Sequence, residues 1–402
     1  MEQFKDYYQS WNELPQPRKM NIMKVITFFL YAMFLLFVVI YGFGISVGKG
    51  AREVPKTVVF MEAMPYNFQA LRYLCKRRDI TIGMIVLTVN SWNVNLDAAY
   101  DNIASFLQLL KKEKFSTTIP VYYGNSFAYS DQKSVESYTV SSKESTCSYR
   151  RYLNPTVRLT ADRLFGGSDV LDTVSLTDYP RRYEFYESKL ESYLGGNQAS
   201  FLVLGPATDA AAFLQNHANL RSKVRSIVLT GGAFKVKGDA QYVYSGNTAA
   251  EINFFFDPVA ANYITEGSHG RPVTVIPVDA VKVWDSGLYS TLISSVDTSA
   301  VTSAAVVSLA VQGYESALEK EGLHEKRMSV ELIGAVYAAD VYAQNGAQVT
   351  DIPVRVVTDT SVVKDGISHR PTSGSFNVRV ILALDSSMVQ RSLKNVELLP
   401  FV

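Results

Sequence analysis

The sequence predicts an α/β fold with a mostly parallel sheet, helices on both faces of that sheet, and one transmembrane helix in front of it. Short β-rich runs alternate with amphipathic helical patterns along most of the chain, which is typical of βαβ units. The runs are apolar throughout, as expected of strands that helices cover on both faces. One charge-free stretch near the N-terminus is far longer than any of these runs and predicts the membrane helix.

Each element is predicted from a short run of sequence. The strands are TVVFMEA, ITIGMIVLTV, IPVYYG, ASFLVLG, VRSIVLTG and PVTVIPVDAV, followed later by DIPVRVVTD and FNVRVILALD. The helical patterns between the first strands are NFQALRYLCKR, LDAAYDNIASFLQLLKKE, YEFYESKLESYL and TDAAAFLQNH. Further helices are expected near Ala300–Glu319, Ser329–Gln344 and Met388–Leu399. This order of strands and helices indicates a parallel sheet with a late extension.

The predicted transmembrane helix covers residues 25–48. Its sequence, VITFFLYAMFLLFVVIYGFGISVG, has no charged side chain and would span about 36 Å as a helix. The alternatives are a buried core helix and a cleaved signal peptide, whose apolar segments are usually shorter. Gly44 and Gly48 form a GxxxG pair on which another membrane helix would pack. The prediction divides the chain into an N-terminal segment at 1–24, the membrane helix, a linker at 49–56 and a domain at 57–402 with a polar insertion at about 125–180.

Composition excludes some classes of function. The 402 residues carry a net charge of only +1, so no basic field indicates a nucleic-acid partner. The two cysteines, Cys75 and Cys147, are too few for a disulfide framework. The single candidate glycosylation site, at Asn154, contains the forbidden proline. Its loss favours a membrane outside the secretory pathway, such as the mitochondrial inner membrane or a bacterial membrane.

Motifs that carry chemistry are few. There is no Walker A sequence, no G-x-G-x-x-G and no G-x-S-x-G, and none of the four histidines has metal-ligand spacing. The strand-to-helix loop within residues 58–71, VVFMEAMPYNFQAL, should face the ligand crevice of an α/β sheet, yet Glu62 is its one carboxylate. In TAAEINFFFDPVAAN, Glu251 and Asn253 would face one pocket if the backbone were extended. The alternative is a plain strand-to-helix junction.

The run AEINFFFDPVAA resembles the AEFNIxxDPEAA motif of the inosine–uridine nucleoside hydrolase family. IPVYYG, LGPATDAAAFL, IVLTGGAF and VIPVDAV resemble further motifs of that family in the same chain order, and so does VLTVNSWNVNLDAAYDNIASFLQLL. The last of these places Asn93 and Asn102 on family asparagines, and Asp279 stands at a family aspartate. The resemblance covers roughly Thr57–Phe401. It implies hydrolysis of the N-glycosidic bond of ribonucleosides, with a calcium ion held by aspartates and an aspartate as base.

The resemblance also shows departures from the family pattern. The family sequence DxDPGxDDAxAL, aligned on Pro65, puts Glu62 at the first aspartate and Tyr66 at the glycine. The remaining aspartates are replaced by Met64, Phe68 and Gln69, and the two family histidines by Phe165 and Val330. Glu331 stands at the aspartate that follows Val330. The implied remnant of the metal shell is Glu62, Glu331 and the Leu204 carbonyl, and Met64, Tyr66 and Phe68 are expected to fill the pocket.

These departures lead to the hypothesis of a pseudoenzyme. The vestigial pocket would contain Glu62, Asn93, Glu251, Asn253, Asp279 and Glu331, with no catalytic residue, no metal and no cofactor. The asparagines and Glu251 would either still bind a sugar or serve as structural hydrogen-bonding groups, and the structural role is favoured.

The expected function is that of a non-catalytic structural or assembly subunit of a membrane complex, most directly the membrane region of mitochondrial ATP synthase. Its partners would be other membrane subunits and lipid, with no nucleic acid and no small-molecule ligand. A single-pass position in the mitochondrial inner membrane would place the large domain on the intermembrane-space side. The alternatives are an active membrane-tethered nucleoside N-glycosidase and a receptor that binds a nucleoside without cleaving it.

Overall fold

The computed structural model describes most of the chain. The described residues are 15–47, 54–77, 79–88, 96–116, 118–125, 179, 184–281, 284–320, 327–358, 363–372 and 376–398. They belong to two compact units, Met1–Val54 and Pro55–Val402. The predictions made for Gly48, Asn93 and Phe165, and for nearly all of the insertion at 125–180, lie outside the described residues.

The first unit contains helix α1, Gln16–Val47. This helix begins before the predicted membrane segment, and Arg18, Lys19 and Lys24 lie in its first turns. Gly44 lies within it. Among the helices that the structure describes, none combines the length and the apolar character needed to cross a membrane, so the described residues do not support the predicted transmembrane helix at 25–48.

The second unit is built on an eight-stranded sheet. Its strands are β1 Lys56–Met61, β2 Thr81–Leu87, β3 Val121–Tyr123, β4 Ala199–Val203, β5 Val224–Thr230, β6 Val273–Ile276, β7 Gln348–Ile352 and β10 Val378–Ala383. A separate antiparallel pair consists of β8 Arg355–Val356 and β9 Ser368–His369. The sheet order is β3-β2-β1-β4-β5-β6-β10-β7, and only β7 runs antiparallel to its neighbour. The predicted α/β fold with a mostly parallel sheet is therefore confirmed.

Helices surround this sheet. They are α2 Pro65–Lys76, α3 Leu96–Lys112, α4 Tyr186–Gly196, α5 Thr208–Asn216, α6 Ile252–Phe256, α7 Pro258–Glu266, α8 Ser286–Tyr289, α9 Ser303–Lys320, α10 Val330–Ala339, α11 Val341–Asn345 and α12 Ser386–Leu393. Short 3₁₀ helices cover Ala218–Lys223, Ala240–Tyr242 and Val278–Ala280, and π-helical turns cover Ser290–Ser294 and Lys394–Leu398.

The core lies on both faces of the sheet. Val59 and Met61 of β1 pack into a cluster with α2, α3, α9 and α10. Val58 and Phe60 of the same strand pack into a second cluster with α4, α5 and α7. Because both faces of the strand are buried from Val58 to Met61, its sequence is apolar at these four positions, which explains the continuous run VVFM.

The strand register positions the site. Phe60 of β1 pairs with Val203 of β4, and Val203 pairs with Leu229 of β5. Thr230 of β5 then pairs with Ile276 of β6. The carboxyl ends of these four parallel strands therefore reach the same edge of the sheet, where ligands bind in open α/β folds.

Two predicted helices are interrupted. The segment predicted as Ser329–Gln344 divides into α10 and α11 at Asp340, whose backbone is extended and whose side chain accepts hydrogen bonds from the backbone N–H groups of Tyr342 and Ala343. The last predicted helix ends at Leu393 and continues as the π-helical turn Lys394–Leu398.

Candidate active site

A pocket of about 90 Å³ lies at the carboxyl ends of the parallel strands. Four acidic side chains line it, namely Glu62, Asp239, Glu251 and Glu331. Its remaining surface includes two amides, Asn67 and Asn253, one guanidinium, Arg327, and an apolar wall of Met64, Tyr66 and Tyr314. A buried pocket with this many carboxyl groups is unusual, because each must be protonated or compensated to remain there.

The loops that follow β1 and β4 contact each other at the pocket. Glu62 follows β1 and is only 1% exposed. Pro65 occupies the start of α2, where its missing N–H would lack an intrahelical partner in any case. In the first turn of α2, the Asn67 Nδ2 donates a hydrogen bond of 2.9 Å to the carbonyl oxygen of Leu204, which follows β4. This bond holds the β1 loop against the β4 loop.

Glu251 serves as the N-cap of α6. Its Oε2 accepts hydrogen bonds of 3.1 Å from the backbone N–H groups of Gly232 and Phe254. A Cβ at Gly231 would lie 2.8 Å from Glu251 Oε2 and 2.4 Å from the Phe254 ring, so the glycine permits this close approach. The other carboxyl oxygen, Oε1, is buried and has no hydrogen-bond partner among the residues that the structure describes. Burial and the nearby Asp239 raise the pKa of Glu251 well above its usual value.

Glu331 and Asn253 approach each other across the pocket. The Asn253 Nδ2 donates to Glu331 Oε1 at the long distance of 3.4 Å. Burial raises the pKa of Glu331 to about 7, and the charge of Asp239 adds to the rise. Asp239 itself accepts a hydrogen bond of 2.9 Å from the backbone N–H of Ile252, and Arg327 opposes the rise in its pKa that burial causes. At neutral pH Glu331 is thus divided between its two protonation states.

The structure brings together four of the six residues predicted for the pocket: Glu62, Glu251, Asn253 and Glu331. Asp279 lies outside the lining, and its carboxyl accepts hydrogen bonds from the backbone N–H groups of Phe234 and Lys235. Asn93 is outside the described residues. The backbone around Asn253 is helical rather than extended, and Glu251 and Asn253 both line the pocket from the N-terminus of α6.

The positions at which this chain lacks a site residue of the family pattern fall into two groups. Met64 and Val330 line the pocket. Phe68, which was expected to fill it, is fully buried in the core and packs edge-to-face on Phe106 at 4.9 Å. Gln69 lines a smaller cavity of about 20 Å³ beside Arg72. Of the side chains expected to fill the pocket, Met64 and Tyr66 therefore line it and Phe68 does not.

Sequence reasoning missed Asn67, Asp239, Arg327 and Tyr314. Asn67 could have been found, because it lies two residues after the proline that begins α2, on the same loop as Glu62. Asp239 and Arg327 lie in irregular segments where neither helical nor strand periodicity marks an inward side chain. Tyr314 lies on α9 and reaches the pocket through tertiary packing alone.

The residues present do not fit a calcium ion. Calcium takes about six to eight oxygen ligands, several of them anionic. Within the described part of the chain, no group of three or more histidine, cysteine, aspartate or glutamate side chains could hold a metal ion. The Leu204 carbonyl already accepts the Asn67 amide, and the Met64 thioether is a soft ligand unsuited to calcium.

Known proteins resemble this chain in sequence and in fold. Uridine nucleosidase 1 of Arabidopsis thaliana is 35% identical over 96 residues, which are 24% of this chain and 26% of that protein. The match thus spans about a quarter of that relative's length. Nucleoside hydrolase 4 of the same plant is 22% identical over 392 residues, covering 90% of this chain and 67% of that protein. The solved structure of a plant nucleoside hydrolase, the PpNRh1 enzyme, superposes with a TM-score of 0.64 at 20% identity, over 86% of this chain and 100% of that chain, and it shows the fold.

The model of the family described as inosine-uridine preferring nucleoside hydrolase matches residues 67–391, which is more than half of the chain. This family and the matched relatives are hydrolytic enzymes. The interpretation of the chain as a pseudoenzyme, and as a non-catalytic subunit of mitochondrial ATP synthase, is therefore wrong. The resemblance noted in the sequence motifs is confirmed, and the chain belongs to the family of inosine-uridine preferring nucleoside hydrolases.

Proposed function

We propose that this chain hydrolyses the N-glycosidic bond of a ribonucleoside in the pocket that contains Glu62, Glu251, Asn253 and Glu331. Membership of a hydrolase family supports the type of bond. The name of the relative uridine nucleosidase 1 supports a pyrimidine ribonucleoside as substrate. The predicted mitochondrial compartment, the partner subunits and the domain boundaries stay predictions.

The observation that carries this proposal is the Oε1 atom of Glu251. A buried polar atom without a partner costs about 1–3 kcal/mol, so a native fold rarely keeps one without a use. The structural work of Glu251 is done by Oε2, which caps α6 and holds the backbone at Gly232. Oε1 is left for a ligand, and a ribose hydroxyl is a group of the right polarity to bond with it.

The reaction needs a water molecule to add at C1′ of the ribose while the bond from C1′ to the base nitrogen breaks. The water loses a proton and the leaving base gains one, so the products are ribose and the free base. Glu331 is suited to accept the proton of the water, because a base with a pKa of about 7 is both available and effective at neutral pH. Positive charge that develops on the ribose in the transition state is stabilised by the oxygens of an acidic pocket.

The apolar wall offers a surface for the nucleobase. The rings of Tyr66 and Tyr314 pack edge-to-face, with centroids 5.5 Å apart and planes at 86°. The Tyr66 hydroxyl also donates to Glu315 Oε1 at 3.5 Å, which fixes the orientation of the ring. A planar base would pack on these rings while the ribose faces Glu251 and Asn253.

The test is the release of free base from uridine and inosine, measured by chromatography with purified, folded protein. Replacement of the proposed base, Glu331→Gln, is expected to lower kcat by ~10²–10⁴-fold. The matched control is Glu319→Gln, since Glu319 is exposed on α9 outside the pocket, and its kcat should equal that of the unmodified chain. Folded protein that releases no base from either nucleoside would refute the proposal, as would a Glu331→Gln variant that retains full activity.

A further inference from the structure

We propose that fixed side-chain donors of this chain, the Asn67 amide and the Arg327 guanidinium, stand in the pocket in place of a divalent cation, so that the site is formed without calcium. These donors would compensate the negative charge of the pocket carboxyl groups. This role does not depend on whether the chain hydrolyses a nucleoside, because cation binding can be measured without one.

The Leu204 carbonyl already has a hydrogen-bond partner from the chain. This oxygen lies at the carboxyl end of β4 and faces the same loop as Glu62. It accepts a hydrogen bond of 2.9 Å from Asn67 Nδ2, and Asn67 is only 2% exposed. The carbonyl oxygen has a second lone pair, but a cation bound there would lie beside the buried Asn67 amide, whose N–H carries a partial positive charge and repels it. The amide thus makes this position unfavourable for a metal.

The side chains around the Leu204 carbonyl offer few oxygen ligands. Three neighbouring side chains of the β1 loop and α2 provide no anionic oxygen: Met64 supplies a sulfur, Phe68 points into the core, and Gln69 lies in a different cavity. The carboxyl groups that remain do not form a cluster of three among the described residues. An oxygen shell of the size that calcium requires cannot be assembled from this set.

Donors and a cationic side chain of this chain compensate the acidic groups of the pocket. Buried carboxyl groups without a metal need protons, hydrogen-bond donors or a cationic side chain. Arg327 lines the pocket, and its charge counteracts the rise that burial causes in the pKa of Asp239. The Asn253 amide donates to Glu331, and two backbone N–H groups donate to Glu251. Asp239, Glu251 and Glu331 thus each have at least one donor or cationic group from the chain itself.

The experiment is a thermal unfolding series on the full chain with calcium chloride, magnesium chloride or EDTA and without nucleoside. The melting temperature of the unmodified protein is expected to be the same in all of them. A cation bound at a hundredfold excess over its Kd would raise the melting temperature of a domain of this size by about 5 °C. A rise of that size with calcium, or calcium retained by the purified protein in elemental analysis, would overturn the proposal.

A gain of calcium binding tests the role of Asn67 directly. In Asn67→Asp an anionic oxygen replaces the amide and the Leu204 carbonyl is released, so calcium should now raise the melting temperature. The matched control is Asn247→Asp, because the Asn247 Nδ2 also donates at 2.9 Å to a backbone carbonyl, that of Asp365, in a buried position outside the pocket. The control should lose stability without a calcium response. If Asn67→Asp does not fold in EDTA, its refolding on addition of calcium chloride, followed by circular dichroism, provides the same readout. An Asn67→Asp variant that responds to calcium in neither measurement would contradict the proposal.

Discussion

Two buried acids at the same edge of the sheet behave differently. Asp209 on α5 is fully buried, and both of its oxygens are occupied: Oδ2 accepts from the Thr88 hydroxyl at 2.6 Å, and Oδ1 accepts from the backbone N–H and the side-chain amide of Asn125 at 2.8 and 2.7 Å. Glu251 is equally buried but uses only one oxygen. The comparison separates an acid that holds loops together from an acid that is kept for a ligand.

The surroundings of the two acids explain the difference. A Cβ at Gly124 would lie 2.2 Å from Asp209 Oδ2, so the backbone packs directly on that carboxyl and leaves no space for a ligand. Burial raises the pKa of Asp209 to about 6, and its three hydrogen bonds limit the rise. Glu251 and Glu331 border open space within the pocket, and the pKa of Glu331 is raised further, to about 7.

The largest expected effect is a pH-dependent loss of stability caused by Glu331, which lines the same pocket as Glu251. The pKa of Glu331 is about 7 in the folded state against an ordinary value of 4.5, so folding favours the protonated form. Its contribution to stability is complete below about pH 4.5. It is lost as the pH rises to about 7, because the unfolded chain ionises first, and the loss amounts to about 3 kcal/mol.

Urea unfolding of the unmodified chain and Glu331→Gln at several pH values measures this loss. Glu331→Gln cannot ionise at this position and should not show the loss. Between about pH 4.5 and pH 8, the free energy of unfolding of the unmodified chain should therefore fall by about 3 kcal/mol relative to that of the variant. Glu319→Gln should follow the unmodified chain at every pH. Parallel curves for Glu331→Gln and the unmodified chain would show that folding does not raise the pKa of Glu331.

The next effect concerns Asp209. Asp209→Ala removes the acceptor of three hydrogen bonds and leaves the donors of Thr88 and Asn125 without that partner, so we expect a loss of about 2 kcal/mol in the free energy of unfolding. Because Asp209 does not line the pocket, the KM for a nucleoside should not change. Chemical denaturation and steady-state kinetics on the same preparation measure both quantities. A raised KM with unchanged stability would reverse the assignment of the two acids.

The fold was largely predictable because its signal is local. The first six predicted strands correspond to β1–β6, since buried parallel strands require continuous apolar runs. The break at Asp340 was not predicted, because a polar N-cap within an apolar helical pattern changes no periodicity. The transmembrane prediction rested on one long apolar run, and among the described helices no membrane span is found.

The site was predictable from a strand end for Glu62, which directly follows β1. Glu251 and Asn253 were predicted from the short run TAAEINFFFDPVAAN, and Glu331 from the family resemblance. The fate of Phe68 depends on helical phase: α2 begins at Pro65, and a step of one residue around a helix turns Asn67 to the pocket and Phe68 to the core. Alignment on the proline gives the order of residues and leaves this rotation undetermined.

The smallest stability effect, and the sharpest contrast with Asp209, is expected from Glu251→Gln. Glutamine retains one oxygen that can accept from Gly232 and Phe254, so the cap of α6 survives and the free energy of unfolding should fall by no more than about 1 kcal/mol. The amide that replaces the second oxygen cannot accept the hydroxyl that Oε1 is proposed to bind. The KM for uridine should therefore rise about tenfold, which isothermal titration and steady-state kinetics would detect. Unchanged affinity together with a large loss of stability would mean that Glu251 is a structural acid of the same kind as Asp209.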